Sequence, residues 1–291
     1  MPTGRVIASH SNLYEVQAEG AVYRCRPRGR FKLEGARVLA GDLVTFRETD
    51  AGEGYIEAIE PRRTELKRPP VANVDQAVVV FTLRQPARNY PLVDRFLVLA
   101  ESQGLAVTLC LNKCDLLSEE EVAEAVRHYG RAGYAVIPTS AKRSMNIDVL
   151  RQALAGKVTV LAGQSGVGKS TLLNQVVPGA ELVTGELSRK VQRGIHTTRH
   201  VRLLATGGGL VADTPGFTHV ELDDMPLRDL AGYFPEFHKY EGKCRFAGCL
   251  HDQEPDCAVK EAVAAGAIDP ERHQHYLDFL AEAREAEKHR F

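Results

Sequence analysis

Three short stretches of this chain have the residue types and spacing to hold a nucleotide. Gly163-Gln164-Ser165-Gly166-Val167-Gly168-Lys169-Ser170 fits GxxxxGK[ST]. Glycines so placed let consecutive backbone N–H groups close around the α- and β-phosphates. Lys169 then reaches the β- and γ-oxygens, and the Ser170 hydroxyl, with Thr171 behind it, lies where Mg²⁺ binds. A phosphate loop does not choose a base. Asn112-Lys113-Cys114-Asp115 does, because in an NKxD box the Asp115 carboxylate accepts from the guanine ring N–H and exocyclic amine, donors that adenine lacks. Asn112 is expected on the other edge of the base and the Lys113 stem on the ring face. Thr139-Ser140-Ala141 completes the set by offering a backbone N–H to the base carbonyl.

Asp213-Thr214-Pro215-Gly216 fits DxxG, where Asp213 would hold Mg²⁺ through water and the Gly216 N–H would sense the γ-phosphate. The order is unusual. An ordinary small GTPase has its phosphate loop before its guanine box, and here the guanine box comes first. The polar connection from Gly179 to Thr198 ends in Gly194-Ile195-His196-Thr197-Thr198, where a switch threonine that closes onto Mg²⁺ is expected. Thr198 is preferred, with Thr197 as competitor and an ordinary Ser/Thr turn as the bland alternative. Position 217 is Phe, which cannot orient water as glutamine does in Ras-like enzymes. His196 is the candidate for that role, against the commoner case of a solvated histidine.

Cys244-x4-Cys249-x-His251-x5-Cys257 offers three thiolates and an imidazole, the donor set of a closed tetrahedral zinc site. With four protein ligands no position is left for substrate, so the metal is expected to be structural. The competing reading is three buried thiols beside an incidental histidine. Cys25, Cys110 and Cys114 are scattered, and His238, His273 and His275 fall outside the ligand spacing and are expected on the surface.

These groups need elements to position them. Up to about residue 60, short apolar segments recur roughly every ten residues with Gly, Asp and Asn between them, which predicts a small OB-like barrel of about five strands. A basic, proline-bearing stretch from Pro61 to Pro70 follows and suits a flexible linker. From Asp75, apolar strand runs (76–83, 106–111, 135–138, 158–162) alternate with helical periodicity (93–101, 119–129, 147–154, 169–175), the signature of a parallel α/β sheet. Residues 201–205 and 210–212 flank Thr206-Gly207-Gly208-Gly209 and predict an appended hairpin. Beyond Gly216 the chain reads as helical around the cysteines.

The 291 residues carry 37 Lys and Arg against 38 Asp and Glu, a formal charge of -1, so any polyanion-binding surface must be local. Basic clusters lie at Arg24, Arg26, Arg28, Arg30 and Lys32, at Arg62, Arg63, Lys67 and Arg68, and at Arg189, Lys190, Arg193 and Arg199. Tyr23 and Phe31 are available beside the first for stacking on RNA bases, and a solvated basic face is the alternative. No run of about 18 uncharged apolar residues suggests a membrane span, so a cytoplasmic location is expected.

NKCD, TSA, GQSGVGKS, GIHTT and DTPG in this order, with a barrel before them and CxxxxCxHxxxxxC after, resemble the bacterial RsgA (YjeQ/YloQ) family. The resemblance covers essentially the whole chain, and the hydrophobic Phe217 fits it. It implies a multidomain protein: an N-terminal OB-like β-barrel (1–66), a linker (67–74), a circularly permuted P-loop GTPase domain (75–221) and a mainly helical zinc-binding domain (222–291). It further implies a cytoplasmic, monomeric GTP hydrolase using GTP/GDP, Mg²⁺ and one structural Zn²⁺. Such an enzyme would bind the small (30S) ribosomal subunit and its rRNA late in maturation, be stimulated by it, and help release assembly factors. Because DxxG runs directly into the zinc-bearing region, nucleotide state is expected chiefly to reposition that region, with the barrel as anchor.

Overall fold

A computed structural model describes the chain except residues 11, 30–36, 50–51, 68, 178, 180–200, 218–224 and 290–291. Five strands come first: β1 (Thr3–His10), β2 (Leu13–Ala18), β3 (Ala21–Pro27), β4 (Leu43–Glu48) and β5 (Glu53–Ile59). A short pair follows, β6 (Glu65–Lys67) and β7 (Pro70–Ala72). The alternating part runs β8 (Gln76–Phe81), α1 (Tyr90–Ser102), β9 (Ala106–Leu111), α2 (Glu119–Arg131), β10 (Ala135–Pro138), α3 (Ile147–Leu154), β11 (Val158–Ala162), α4 (Lys169–Val176), β12 (Arg202–Ala205) and β13 (Leu210–Phe217). Helices α5 (Ala258–Ala264) and α6 (Pro270–Lys288) close the described chain. The chain divides into two compact units, one of Met1–Val78, Ile147–Leu161 and Lys169–Phe217, the other of Val79–Asn146, Ala162–Gly168 and Thr218–Phe291.

In the first unit the barrel strands pair in the order β1-β2-β3-β5-β4, and β4 closes back on β1 with Thr3 opposite Thr45. Only the β3–β5 pair is parallel. Alternation explains the closure: Val6, Val16, Val44, Phe46 and Ile56 all point inward and are fully buried, while residues between them meet solvent. The expected five-strand OB-like barrel is therefore present.

The proline-bearing stretch is not a free linker. Leu66 and Val71 are buried, Ala72 N–H donates to Ala40 O at 2.8 Å, and Asn73 Nδ2 donates to Gly41 O at 3.1 Å, so the β6–β7 pair is clipped onto the barrel. Arg62 secures the clip with two bonds to the fully buried Asp42, at 2.7 and 2.9 Å. The sequence hid this because a three-residue strand carries too few side chains to show periodicity. Nor is the β12–β13 hairpin an appendage. It lies between β11 and the barrel in the order β11-β13-β12-β1, with Ala8 of β1 opposite Arg202 of β12.

In the second unit β10 and β9 are parallel, with Pro138 opposite Leu111, and β9 neighbours β8. Asn89 caps α1 by accepting from Leu92 N–H, and Ser118 with Glu121 forms a capping box on α2. The C-terminal region packs Leu230, Phe234, Phe237, Val259, Tyr276, Phe279 and Leu280 into one core that also takes in Val98 of α1. Burying a side chain of that kind is worth about 1.5–3 kcal/mol, so this shared core attaches the region to α1.

Candidate nucleotide site and zinc cluster

The guanine box begins where β9 ends, and the Thr139-Ser140-Ala141 loop begins where the adjacent parallel strand β10 ends. Equal register brings the two loops together: Thr139 N–H donates to Leu111 O at 2.7 Å and Cys114 N–H to Thr139 O at 3.0 Å. Ser140 Oγ then donates to Asp115 Oδ1 at 2.5 Å. That hydroxyl is the main reason the Asp115 carboxyl lies below the usual carboxylate range. An ionised, oriented Asp115 is what two guanine donors require.

Asn112 also has a task within the protein. It is almost fully buried, and both ends of its amide are used within the protein. Nδ2 donates to Val167 O of the phosphate loop at 2.8 Å, and Oδ1 accepts from Ala141 N–H at 3.1 Å and Thr139 Oγ1 at 3.3 Å. The residue braces three loops. Lys113, held with φ of 64°, donates from Nζ to Gly166 O at 2.7 Å and to Gln85 O. Gln85 is therefore part of this scaffold, and no spacing in the sequence marks it.

The phosphate loop from Gly163 to Gly168 lies in the same unit, pressed against its neighbours. A Cβ on Gly163 would sit 2.1 Å from Val80 O, and one on Gly168 2.4 Å from Asn112 Nδ2, so only glycine fits either position. In the other unit Lys169, Ser170 and Thr171 start α4. Burial pushes the Lys169 ammonium down to about 8, because a charge removed from water is disfavoured; a bound nucleotide phosphate would favour the charged form. Asp213 lies on β13 and is half-buried; burial pushes its carboxyl up while the Arg202 charge pulls it down. These residues fit a nucleotide with Mg²⁺. Gly216 falls within β13, and His196, Thr197 and Thr198 lie outside the described residues.

Cys244, Cys249, His251 and Cys257 converge, with all four ligand atoms within 4.8 Å of one another. His251 Nδ1 is 3.3 Å from Cys257 Sγ and 3.6 Å from Cys244 Sγ, and the latter two sulfurs are 3.9 Å apart. Zn–S bonds of about 2.3 Å and Zn–N bonds of about 2.0 Å at tetrahedral angles require edges of this size. The cluster is compatible with one Zn²⁺. Surrounding bonds fix the ligand loop: Tyr276 OH donates to Leu250 O at 2.6 Å, and the Glu254 carboxylate accepts from Leu250 and Asp252 N–H. His275, expected on the surface, is instead buried with Nδ1 2.6 Å from Asp94 Oδ2, and His273 Nε2 lies 3.1 Å from His251 O.

A sequence profile described as RsgA GTPase matches residues 59–223, and one described as RsgA N-terminal domain matches residues 3–56. The chain belongs to the RsgA GTPase family. Relatives named small ribosomal subunit biogenesis GTPase RsgA include that of Geobacillus thermodenitrificans, 50% identical with 98% of each chain covered, and that of Moorella thermoacetica, 46% identical with 96% covered. Among solved structures, YjeQ from Thermotoga maritima aligns with a TM-score of 0.86 at 38% identity over 97% of this chain and 98% of that one. YloQ, described as a circularly permuted GTPase, aligns with a TM-score of 0.84 at 36% identity over 98% and 96%. As an RsgA-family member the protein is a GTP hydrolase using GTP/GDP and Mg²⁺, on a permuted GTPase domain flanked by a barrel and a zinc-compatible cluster. Among the described residues no helix is long and apolar enough to cross a membrane.

Proposed function

We propose that this enzyme binds the small ribosomal subunit in the cytoplasm during late maturation, hydrolyses GTP faster when docked there, and acts as a monomer that helps other assembly factors leave. The observation that carries this is 50% identity over 98% of the chain to a small ribosomal subunit biogenesis GTPase, together with a complete guanine box in this chain. Asp115 reads guanine. The phosphate loop through Lys169 holds the phosphates. Ser170 would hold Mg²⁺ directly and Asp213 through water, and the ion when bound would polarise the γ-phosphate. Thr198, with Thr197 as alternative, closes on the metal, the Gly216 N–H senses the γ-phosphate, and His196 holds the attacking water. Zn²⁺ on Cys244, Cys249, His251 and Cys257 fixes the C-terminal fold.

Cationic surface supports an RNA partner. Arg24 and Arg26 are exposed on β3, and Arg26 lies opposite the exposed Tyr55 of β5, which is a better stacking candidate than Tyr23. The Tyr23 ring is engaged with Phe46 at 5.0 Å. Within the same unit Arg5, Arg63 and Lys157 line a polar cleft of ≈ 480 Å³. The test is GTP turnover with isolated small and large subunits over a salt series. Stimulation by small subunits alone, falling steeply with salt, is the expected result. Equal stimulation by large subunits, or none by either, would reject the proposal.

A further inference from the structure

Four residues from distant parts of the chain form one row across the first unit. Glu15 of β2 is opposite Ala8 of β1, Ala8 is opposite Arg202 of β12, and Arg202 is opposite Asp213 of β13. Residues directly opposite in antiparallel strands project to the same face, so the row reads carboxylate, methyl, guanidinium, carboxylate. With strands about 4.8 Å apart, the Glu15 and Arg202 backbones are separated by roughly 10 Å. Two long side chains close that gap because Ala8 between them offers only a methyl group: Arg202 Nη2 reaches to 3.4 Å from Glu15 Oε2.

The guanidinium thus has a carboxylate on either side. It is turned toward Glu15, while its charge is still felt at Asp213. A guanidinium resting on Asp213 would compete with a divalent cation for the same oxygens and repel that cation at short range.

We propose that Glu15 is a positioning residue for the metal site: it draws the Arg202 guanidinium away from Asp213 and so leaves that carboxylate available to Mg²⁺. The proposal rests on Asp213 being the Mg²⁺ aspartate. It makes a barrel strand a determinant of metal affinity in the GTPase domain, through one side chain and across one alanine.

The test uses the full-length protein saturated with a non-hydrolysable GTP analogue and titrated with Mn²⁺, whose free-ion electron paramagnetic resonance signal reports metal binding without turnover. Glu15→Gln should weaken Mn²⁺ binding about threefold, the scale of one exposed ion pair. Arg202→Gln should tighten it, and Glu15→Gln combined with Arg202→Gln should match Arg202→Gln alone. A general loosening of the fold by Glu15→Gln would not be corrected by removing its partner. Unchanged Mn²⁺ affinity in Glu15→Gln, or weakening that survives in the double variant, overturns the proposal. Asp213→Asn distinguishes the two levels: if it too leaves Mn²⁺ binding unchanged, the assignment of Asp213 fails; if it weakens binding while Glu15→Gln does not, only the role of Glu15 fails.

Discussion

The barrel and the zinc-bearing region are held in place by different physics. In the first unit the barrel joins its sheet through backbone pairing at Ala8 and Arg202 and through ion pairs at the surface. Arg202 is 57% exposed in its pair with Glu15, and Arg63 is 68% exposed in its pair with Asp75. In the second unit the zinc-bearing region joins α1 through charges removed from water. Arg272 is 1% exposed, donating to Asp94 Oδ1 at 2.6 Å and to both oxygens of Glu236. The Phe234, Tyr134 and Tyr129 rings surround its guanidinium, and His275 takes the second Asp94 oxygen. Arg95 with Glu282 and His128 with Asp269 add outer contacts. Exposed pairs exchange with water and contribute little, whereas a buried pair broken on one side strands a charge. The zinc-bearing region and α1 therefore form one body. This runs against the expectation that nucleotide state chiefly repositions the zinc region, since such a movement would have to carry α1 with it or expose Asp94.

The contrast can be broken at three points. Stripping the metal with a zinc-selective chelator, in excess Mg²⁺ and GDP, should have the largest effect, because binding energy at such a site is folding energy. Hydrogen exchange should rise throughout α5 and α6 and also in α1, whose Val98 shares their core; unchanged protection of α1 would separate the two. Next, Arg272→Met should lower unfolding free energy by about 3–5 kcal/mol, because Glu236 stays buried without its partner and Asp94 keeps only His275. A urea midpoint close to the parent's would show the network to be dispensable. The smallest effect belongs to the barrel side. Arg63→Gln should change stability by less than about 1 kcal/mol, and a loss as large as that from Arg272→Met would erase the distinction.

How much of this was legible in the sequence depended on the range over which each feature is specified. The phosphate loop, guanine box, DxxG and cysteine spacing are local, and each needs particular residue types at fixed offsets. The strands at 106–111, 135–138 and 158–162 and the helix at 147–154 were likewise visible from periodicity alone. Other features depend on register between distant segments. Nothing local separates a surface histidine from His275 beside Asp94, which is 181 positions away. Nothing near Glu15 announces Arg202. Nothing local announces that the Asn112 amide also bonds Val167 and Ala141.

The pairing of β1 with β12 has one more consequence. Without its neighbour, β12 would be the outermost strand of the GTPase part of the first unit, with a row of unpaired backbone donors and acceptors. Such an edge is a template for sticking to another chain. The barrel covers it at Arg202, so β1 also serves as an edge guard there. Cutting the barrel away would leave a GTPase domain inclined to self-associate, whatever happened to its affinity for RNA.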